Sequence, residues 1–396
     1  MTARHLTWIV YISEPEKVDA ERRVLEDAAE AERKAIAKRE AAKEKARKKA
    51  EEKNRIEEEK NRLIGPFLVQ FVDDIRSGAR KLGNDDYAPG TCKAWKSFIG
   101  VYKGFDPWHK FGWADIDRAF MSCYINYLQK HGYMAKVVNK HLTNLKALIN
   151  AAFIDGVHDN QRASALIVKK KIEDRDKAVE IYLTEKKLQA IYVRSFTGKK
   201  EHIRDVFLIG CYTCQRVNDY NNLNAEHSET TRKGTRIIRL VQQKTKTEVT
   251  IPILNENLIT ICEKYGYNKP KANEQVLNRY IKDILKDLSE QLPSLKEKVP
   301  TKLTMKQKEA LKKEKKEPEV DLNGNVIVPR YDCVTSHTAR RTGITNMYLS
   351  HKYIILQMMH VSGHKTQKTF MDYIKLSSED IADEIAAMSK KENDMW

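Results

Sequence analysis

The chain has 396 residues, of which 41% are hydrophobic and 32% charged, and its formal net charge is +17. This length predicts two or three domains, and so large a positive charge favours a polyanionic partner. No apolar run reaches the roughly 18–20 residues needed to cross a bilayer, and no apolar signal segment is present. We therefore expect a soluble protein on the cytoplasmic side that binds nucleic acid and no membrane.

The N-terminal part predicts a strand followed by a long helix. Residues 5–12 are aromatic and β-branched, which is typical of a strand. Residues 17–64 are almost entirely Ala, Glu, Lys and Arg, which predicts a charged helix of about 70 Å that Gly65 and Pro66 close. Its apolar stripe is thin, so the sequence leaves open a solvated spacer, a coiled coil and an arm that tracks DNA.

Residues 65–165 predict a compact helical domain. Apolar residues recur at helical spacing in four segments, and the last segment spans 134–154. The opposite face of that last helix is basic, and we expect the following side chains on it to contact the DNA backbone: Lys136, Lys140, His141 and Lys146. A charged run at 166–180 predicts a linker.

Residues 181–396 mix helices with a small sheet. Residues 203–212 predict a strongly apolar helix, and residues 236–240 and 248–253 predict a β-hairpin around Lys244 and Lys246. Residues 295–330 are Lys-rich and predict an exposed insertion. The fold class is therefore mainly α with a small antiparallel β-sheet.

The cysteines give no sign of a metal or redox site. Only Cys211 and Cys214 form a CxxC pair, with no second pair and no His residues at ligand spacing. Both lie in or beside the apolar helix, so we interpret them as core thiols. The sequence likewise has no carboxylate cluster of the two-metal type and no GxxxxGK[ST] phosphate loop, so we expect no cofactor.

Three clusters in the second half carry chemical groups. Arg216 is the central residue of the first, TCQRVND at 213–219. His337 and Arg340 form an HxxR in the second, SHTARRT at 336–342, and His364 closes the third, SGH at 362–364. Tyr373 follows His364 by nine residues.

In this order the clusters resemble the tyrosine recombinase family, known from phage integrases and the integrases of mobile elements such as conjugative transposons. That family orders an Arg, a Lys on a β-hairpin, an HxxR motif, a His or Trp beside a Gly, and a Tyr about nine residues later. The matching positions here are Arg216, Lys244, His337, Arg340, His364 and Tyr373. The resemblance covers residues 67–396, and residues 138–156 resemble the family's core-binding helix.

The resemblance implies a SAM-like core-site DNA-binding domain at 65–165 and an α+β catalytic domain at 181–396. It implies metal-independent cleavage and rejoining of DNA through a covalent 3′-phosphotyrosyl intermediate, in the integration or excision of a mobile element. It also implies a cytoplasmic, nucleoid-associated protein of the prokaryotic type. The implied partners are double-stranded DNA, further copies of the chain in a tetrameric synaptic complex, and accessory DNA-bending proteins. Lys246 and Arg341 adjoin the motif positions, and we expect both to contact DNA.

The residue types suit that chemistry. Two guanidinium groups supply permanent, forked donors to the nonbridging phosphate oxygens, where negative charge grows during displacement. Tyr373 is the nucleophile, and His337 is the expected general base. Lys244 is expected to protonate the departing 5′-oxygen, and His364 to donate a hydrogen bond to the phosphate.

Two positions depart from the family pattern. The family commonly has Gly and an apolar residue before its first Arg, whereas this chain has Cys214 and Gln215, which changes packing around Arg216. Related integrases begin with a small sheet domain that binds arm-type sites. Residues 1–16 contain one predicted strand, so we interpret them as a remnant of such a domain and leave its function open.

Alternatives remain open on sequence grounds. Lys246 competes with Lys244 as the hairpin lysine. A type IB topoisomerase shares the Tyr, Arg and His chemistry, although the helical domain and the segment beyond Tyr373 favour recombination. A third hypothesis is a DNA-binding protein without catalytic activity. The presence of the full set of catalytic residue types argues against it.

Overall fold

A computed structural model describes residues 15–172, 179–268, 271–303, 305–322, 324–376 and 378–393. The strand predicted at 5–12 lies outside the described residues. The chain divides into two units, Met1–Ile172 and Glu173–Trp396. The mainly helical fold class with small antiparallel sheets is confirmed.

The first unit is helical. Its helices are α1 (Pro15–Asn61), α2 (Ile64–Ser77), α3 (Pro89–Phe105), α4 (Arg118–Lys130) and α5 (Ala135–Ile154). Helix α1 ends at Asn61, shortly before Gly65 and Pro66, and these two residues lie in the first turn of α2. Proline is tolerated there because the first-turn N–H groups have no partner within the helix.

Helix α1 has no buried face among its described side chains. Ion pairs at i,i+4, such as Lys34 with Glu30 at 2.7 Å, run along its surface. With 47 residues it extends for about 70 Å. Its Ala-rich composition and these ion pairs stabilise the helix, because packing of a buried face does not.

The core of the first unit is aromatic. Phe71, Trp95 and Phe98 meet edge to face, with ring centroids 4.8 and 5.6 Å apart. Helix α5 lies against this cluster through Val138, Leu142, Leu145 and Leu148. Ile167 is also buried in it, so the packed part of the unit extends into the predicted linker.

The second unit is built around α7. Its helices are α6 (Glu185–Val193), α7 (Gly198–Thr213), α8 (Val217–Tyr220), α9 (Glu256–Lys264), α10 (Glu274–Leu288), α11 (Met305–Lys313), α12 (Ser336–Leu349), α13 (Ile355–Ser362), α14 (Gln367–Met371) and α15 (Ser378–Asn393). Residues 203–209 of α7 are all buried, with α6, α9, α10 and α12 against it. Cys211 and Cys214 are buried free thiols.

Two small antiparallel sheets complete the unit. The strands are β1 (Ser228–Thr230), β2 (Arg236–Val241), β3 (Glu248–Pro252), β4 (Lys298–Pro300) and β5 (Ile327–Pro329). β1, β2 and β3 pair in that order, with Ile238 opposite Ile251. The sequence predicted the β2–β3 hairpin and missed β1, which has one partly buried residue and so little apolar signal. β4 and β5 pair within the Lys-rich insertion.

No helix among the described residues combines the length and the apolar character that a membrane crossing requires.

The expected position of His141 on the exposed basic face of α5 is wrong. The His141 side chain is 6% exposed, packs on Phe98 with ring centroids 5.6 Å apart, and shares a 3.4 Å hydrogen bond with the Tyr124 hydroxyl. It follows Val138 by three residues and precedes Leu145 by four, so the helix turns it inward. Burial, with a smaller contribution from Lys140, lowers the pKa of His141 to about 4.

This buried histidine makes the first unit sensitive to acid. In the unfolded chain His141 becomes protonated as the pH falls below its ordinary pKa of 6.5, whereas in the folded unit it stays neutral down to about pH 4. The unfolded state then binds more protons, so stability falls as pH falls through that window. His141→Gln should reduce the loss of unfolding free energy between pH 7 and pH 5 by about 2 kcal/mol. Urea unfolding followed by the fluorescence of buried Trp95 and Trp113 measures this; equal pH dependence in both proteins would contradict it.

Candidate active site

Arg340 is the buried centre of the candidate site. It lies on α12 and its side chain is fully buried. Nη1 donates to the Cys214 carbonyl at 2.9 Å, and Nη2 donates to the Ser362 carbonyl at 2.8 Å. The guanidinium therefore joins the end of α7 to the end of α13.

Close helix packing makes that position possible. Any β-carbon at Gly343 would overlap the Cys211 carbonyl oxygen, so only glycine lets α12 approach α7 this closely. Cys214 ends α7 in a left-handed conformation, with φ 58°. The chain reverses there, and its next residues lead to Arg216 at the start of α8.

Gln242 connects Arg216 to the rest of the site. Its Oε1 accepts from Arg216 Nη1 at 2.9 Å, and its Nε2 donates to Gln215 Oε1 at 2.7 Å and to the Ser362 carbonyl at 2.9 Å. Gln242 is fully buried, and a β-carbon at Gly363 would overlap its amide. The β2–β3 hairpin is therefore fixed to the same carbonyl that Arg340 contacts.

Tyr373 lies against Arg340 and both histidines. The Arg340 guanidinium carbon is 5.1 Å from the centre of the Tyr373 ring. The rings of His337 and His364 have their centroids 5.3 and 4.8 Å from it. Thr345, on α12, donates its hydroxyl to the Tyr373 carbonyl at 3.2 Å.

The arginines keep the histidines neutral. Burial first, then Arg340 and Arg216, lowers the pKa of His364 to about 3. Burial and the neighbouring arginines likewise lower the pKa of His337 below its ordinary value. Burial and Arg216 lower the pKa of Arg340 to about 10, which leaves it charged at neutral pH. A neutral imidazole beside a phenol can accept a proton.

The hydrogen bonds of His364 assign its tautomer. Arg340 can only donate, so His364 Nε2, 3.0 Å from Nη2, must accept. The proton of the neutral ring then sits on Nδ1 and points to the Ser362 hydroxyl at 2.9 Å. The expected donation from His364 to a phosphate needs a different hydrogen-bond arrangement from this one.

The two candidate lysines lie on the hairpin turn. Lys244 and Lys246 are both exposed, and Lys246 has a left-handed backbone with φ 52°. Neither forms an ion pair with any residue of the described ranges. The turn is anchored to α8, because the Asp219 carboxylate accepts a hydrogen bond from the Gln243 N–H at 2.8 Å. The choice between the lysines stays a prediction.

Arg341 does not lie where a DNA contact was expected. Its side chain is buried; Nη2 pairs with Glu180 at 3.1 Å and Nη1 donates to the Ile181 carbonyl at 3.2 Å. The segment 180–183 covers this side of α12, which the HxxR pattern does not reveal. The side chains of Arg341 and His141 are therefore buried and do not form the expected DNA contacts. The side chains of the other four residues are exposed: Lys136, Lys140, Lys146 and Lys246.

The sequence missed several residues that build the site. Gln242, Gln215, Asp219 and Ser362 are all buried polar side chains around the arginines. Gln215 and Asp219 belong to the same sequence cluster as Arg216, at 213–219. This closeness in sequence was the only signal that could have assigned them to the site. No group of His, Cys, Asp or Glu within the described ranges is arranged to hold a metal ion.

Comparison with known proteins identifies the fold. Residues 68–172 match the family model of the phage integrase SAM-like domain. A lambda integrase dimer bound to a COC′ core site has a TM-score of 0.54 at 14% identity, over 78% of this chain and 94% of that chain. A lambda integrase tetramer bound to a Holliday junction has a TM-score of 0.53 at 15% identity, over 79% and 80%.

A Tn1549 transposon integrase in complex with transposon right end DNA gives a TM-score of 0.52 at 11% identity, over 83% of this chain and 99% of that chain. No curated protein sequence matches the chain significantly. The first unit thus carries a phage integrase SAM-like domain. The chain as a whole shares the fold of these lambda and Tn1549 integrases.

Gln242 offers a test of how the site is held together. Gln242→Leu keeps the volume but leaves Gln215 Oε1 without a donor and Arg216 without its acceptor, and it removes one of the two donors to the Ser362 carbonyl. We expect a loss of about 2–4 kcal/mol in unfolding free energy and a lower rate of DNA cleavage. Urea unfolding followed by circular dichroism measures the first. Gln243→Leu, at the exposed neighbour, is the matched control, and a Gln242 variant as stable as this control would disprove the bridging role.

Proposed function

We propose that the chain is a site-specific DNA recombinase that cleaves and rejoins DNA through a covalent bond between Tyr373 and a 3′-phosphate. One observation carries the proposal. Arg340 lies beside Tyr373, Gln242 and the Ser362 carbonyl connect Arg340 to Arg216, and within the described part of the chain neither arginine forms an ion pair with a carboxylate. Two buried or half-buried cations without a counter-ion favour an anion between them.

The reaction follows from the residue types. The Tyr373 oxygen attacks the phosphorus, and its proton passes to His337. The bond from phosphorus to the 5′-oxygen breaks, and Lys244 protonates that oxygen as it leaves. Arg216 and Arg340 stabilise the charge on the nonbridging oxygens. The second strand's 5′-hydroxyl reverses these steps, so no external energy source enters.

The partners are proposed from the similar structures. The lambda integrase structures are described as a dimer on a core site and a tetramer on a Holliday junction, and the Tn1549 integrase structure holds transposon end DNA. We propose that this chain acts on double-stranded DNA, assembles with copies of itself, and integrates or excises a mobile element. Lys136, Lys140, Lys146 and Lys246 remain proposed contacts to the DNA backbone, and the salt dependence of binding measures their contribution.

The nucleophile is tested with a nicked suicide substrate. Tyr373→Phe removes only the attacking oxygen, so DNA binding should be unchanged while the covalent adduct disappears. Denaturing gel electrophoresis detects the adduct. Tyr353→Phe changes another accessible tyrosine and should form adduct at the parent rate. An adduct of normal yield from Tyr373→Phe would overturn the assignment.

The general acid is tested with a sulfur leaving group. A 5′-bridging phosphorothiolate leaves as a thiolate and scarcely needs a proton. Lys244→Ala should cleave a normal phosphodiester about 10²-fold more slowly and the phosphorothiolate at close to the parent rate. Lys246→Ala removes a proposed backbone contact and no proton donor, so at saturating DNA it should cleave both substrates at the parent rate. Sulfur rescue of Lys246→Ala alone would exchange the two roles, and rescue of neither would make Lys244 a DNA contact.

A further inference from the structure

Glu180 joins three segments around the nucleophile. Its Oε1 pairs with Arg341 Nη2 at 3.1 Å, and its Oε2 pairs with Lys375 Nζ at 2.9 Å. Arg341 is the neighbour of Arg340 on α12, and Lys375 lies two residues beyond Tyr373. One carboxylate therefore links the start of the second unit, the helix with the catalytic arginine, and the segment with the tyrosine.

The segment that carries Glu180 is itself firmly attached to α12. The Ile181 carbonyl accepts from Arg341, the Leu183 N–H donates to the Thr342 hydroxyl at 3.1 Å, and the Leu183 carbonyl accepts from Asn346 at 3.0 Å. Glu180 thus projects from a backbone whose position α12 determines.

The tyrosine segment has few other polar restraints. Thr345 holds the Tyr373 carbonyl from α12. Among the described residues, the Lys375–Glu180 pair is the only ion pair formed by residues 371–376. Without the carboxylate, Lys375 and the buried Arg341 would face each other as like charges, and repulsion would push the segment away from α12.

We propose that Glu180, through Lys375, is a positioning residue that sets where Tyr373 lies relative to Arg340. The inference rests on the proposed function, since it concerns the same nucleophile. A half-exposed pair such as Glu180–Lys375 contributes little to overall stability. Its effect should instead appear in the rate of attack, because a small displacement of a reacting group costs much of the rate.

The experiment measures single-turnover adduct formation on a suicide substrate with Lys375→Met, Glu180→Gln, the double variant and Lys375→Arg. We expect roughly tenfold slower attack in both single variants, the same loss in the double variant, and near-parent rates with Arg, which restores the pair. DNA affinity and its salt dependence should not change. Lys368→Met, at an exposed lysine on α14, is the control for removing a charge near the tyrosine.

Three outcomes would overturn the proposal: attack by Lys375→Met at the parent rate, losses in the two single variants that multiply in the double variant, or a salt slope lowered by about 0.9, which marks a lost phosphate contact. Tyr373→Phe in the same assay distinguishes failure of the proposed function from failure of the positioning role. If that variant forms adduct, the proposed function fails. If it does not, while Lys375→Met reacts normally, only the positioning role fails.

Discussion

A fully buried guanidinium organises the second unit. Burying the charge of Arg340 is costly unless its donors find acceptors, and here the acceptors are two carbonyls, those of Cys214 and Ser362, with the His364 ring as a third. Carbonyls at helix ends carry partial negative charge but no net charge. The fold therefore solvates Nη1 and Nη2 without neutralising the charge, while the buried Nε has no hydrogen-bond partner among the described residues. An unneutralised charge is the state that a phosphate-binding group needs.

The same positive charge determines the state of its neighbours. Burial lowers the pKa of His364 and of His337, and Arg340 and Arg216, joined at His337 by Arg341, lower it further. Both rings are therefore neutral, and a neutral ring can accept a proton from a phenol. A phosphate between Arg216 and Arg340 would offset part of the charge contribution, so substrate binding should raise the proton affinity of His337 when a base is required.

The sequence predicted the candidate catalytic groups better than the groups that hold them in place. Arg216, His337, Arg340, His364 and Tyr373 could be found because residue type and order in the chain identify them, and the structure brings them together. Gln242 could not, because its role depends on the register of β2 against α8 and α13, which no local pattern encodes. The burial of His141 could have been predicted, because its spacing from Val138 and Leu145 places it on the apolar face of α5. It was assigned to the basic face because its side chain is polar.

Rigidity is distributed unevenly over the site, and the distribution matches the chemistry. Arg340 is held by the Cys214 and Ser362 carbonyls and Arg216 by Gln242, where the close approaches at Gly343 and Gly363 leave no space for a β-carbon. The proposed anion-binding geometry is therefore present before substrate binds, which reduces reorganisation during reaction. Lys244 lies on an exposed turn, and Tyr373 lies on a segment with few restraints. The proposed acid and nucleophile must move between bonded and free states in each cleavage and rejoining, whereas the charge they act on must not. A site in which all six residues were equally fixed would bind a phosphate well and turn over slowly.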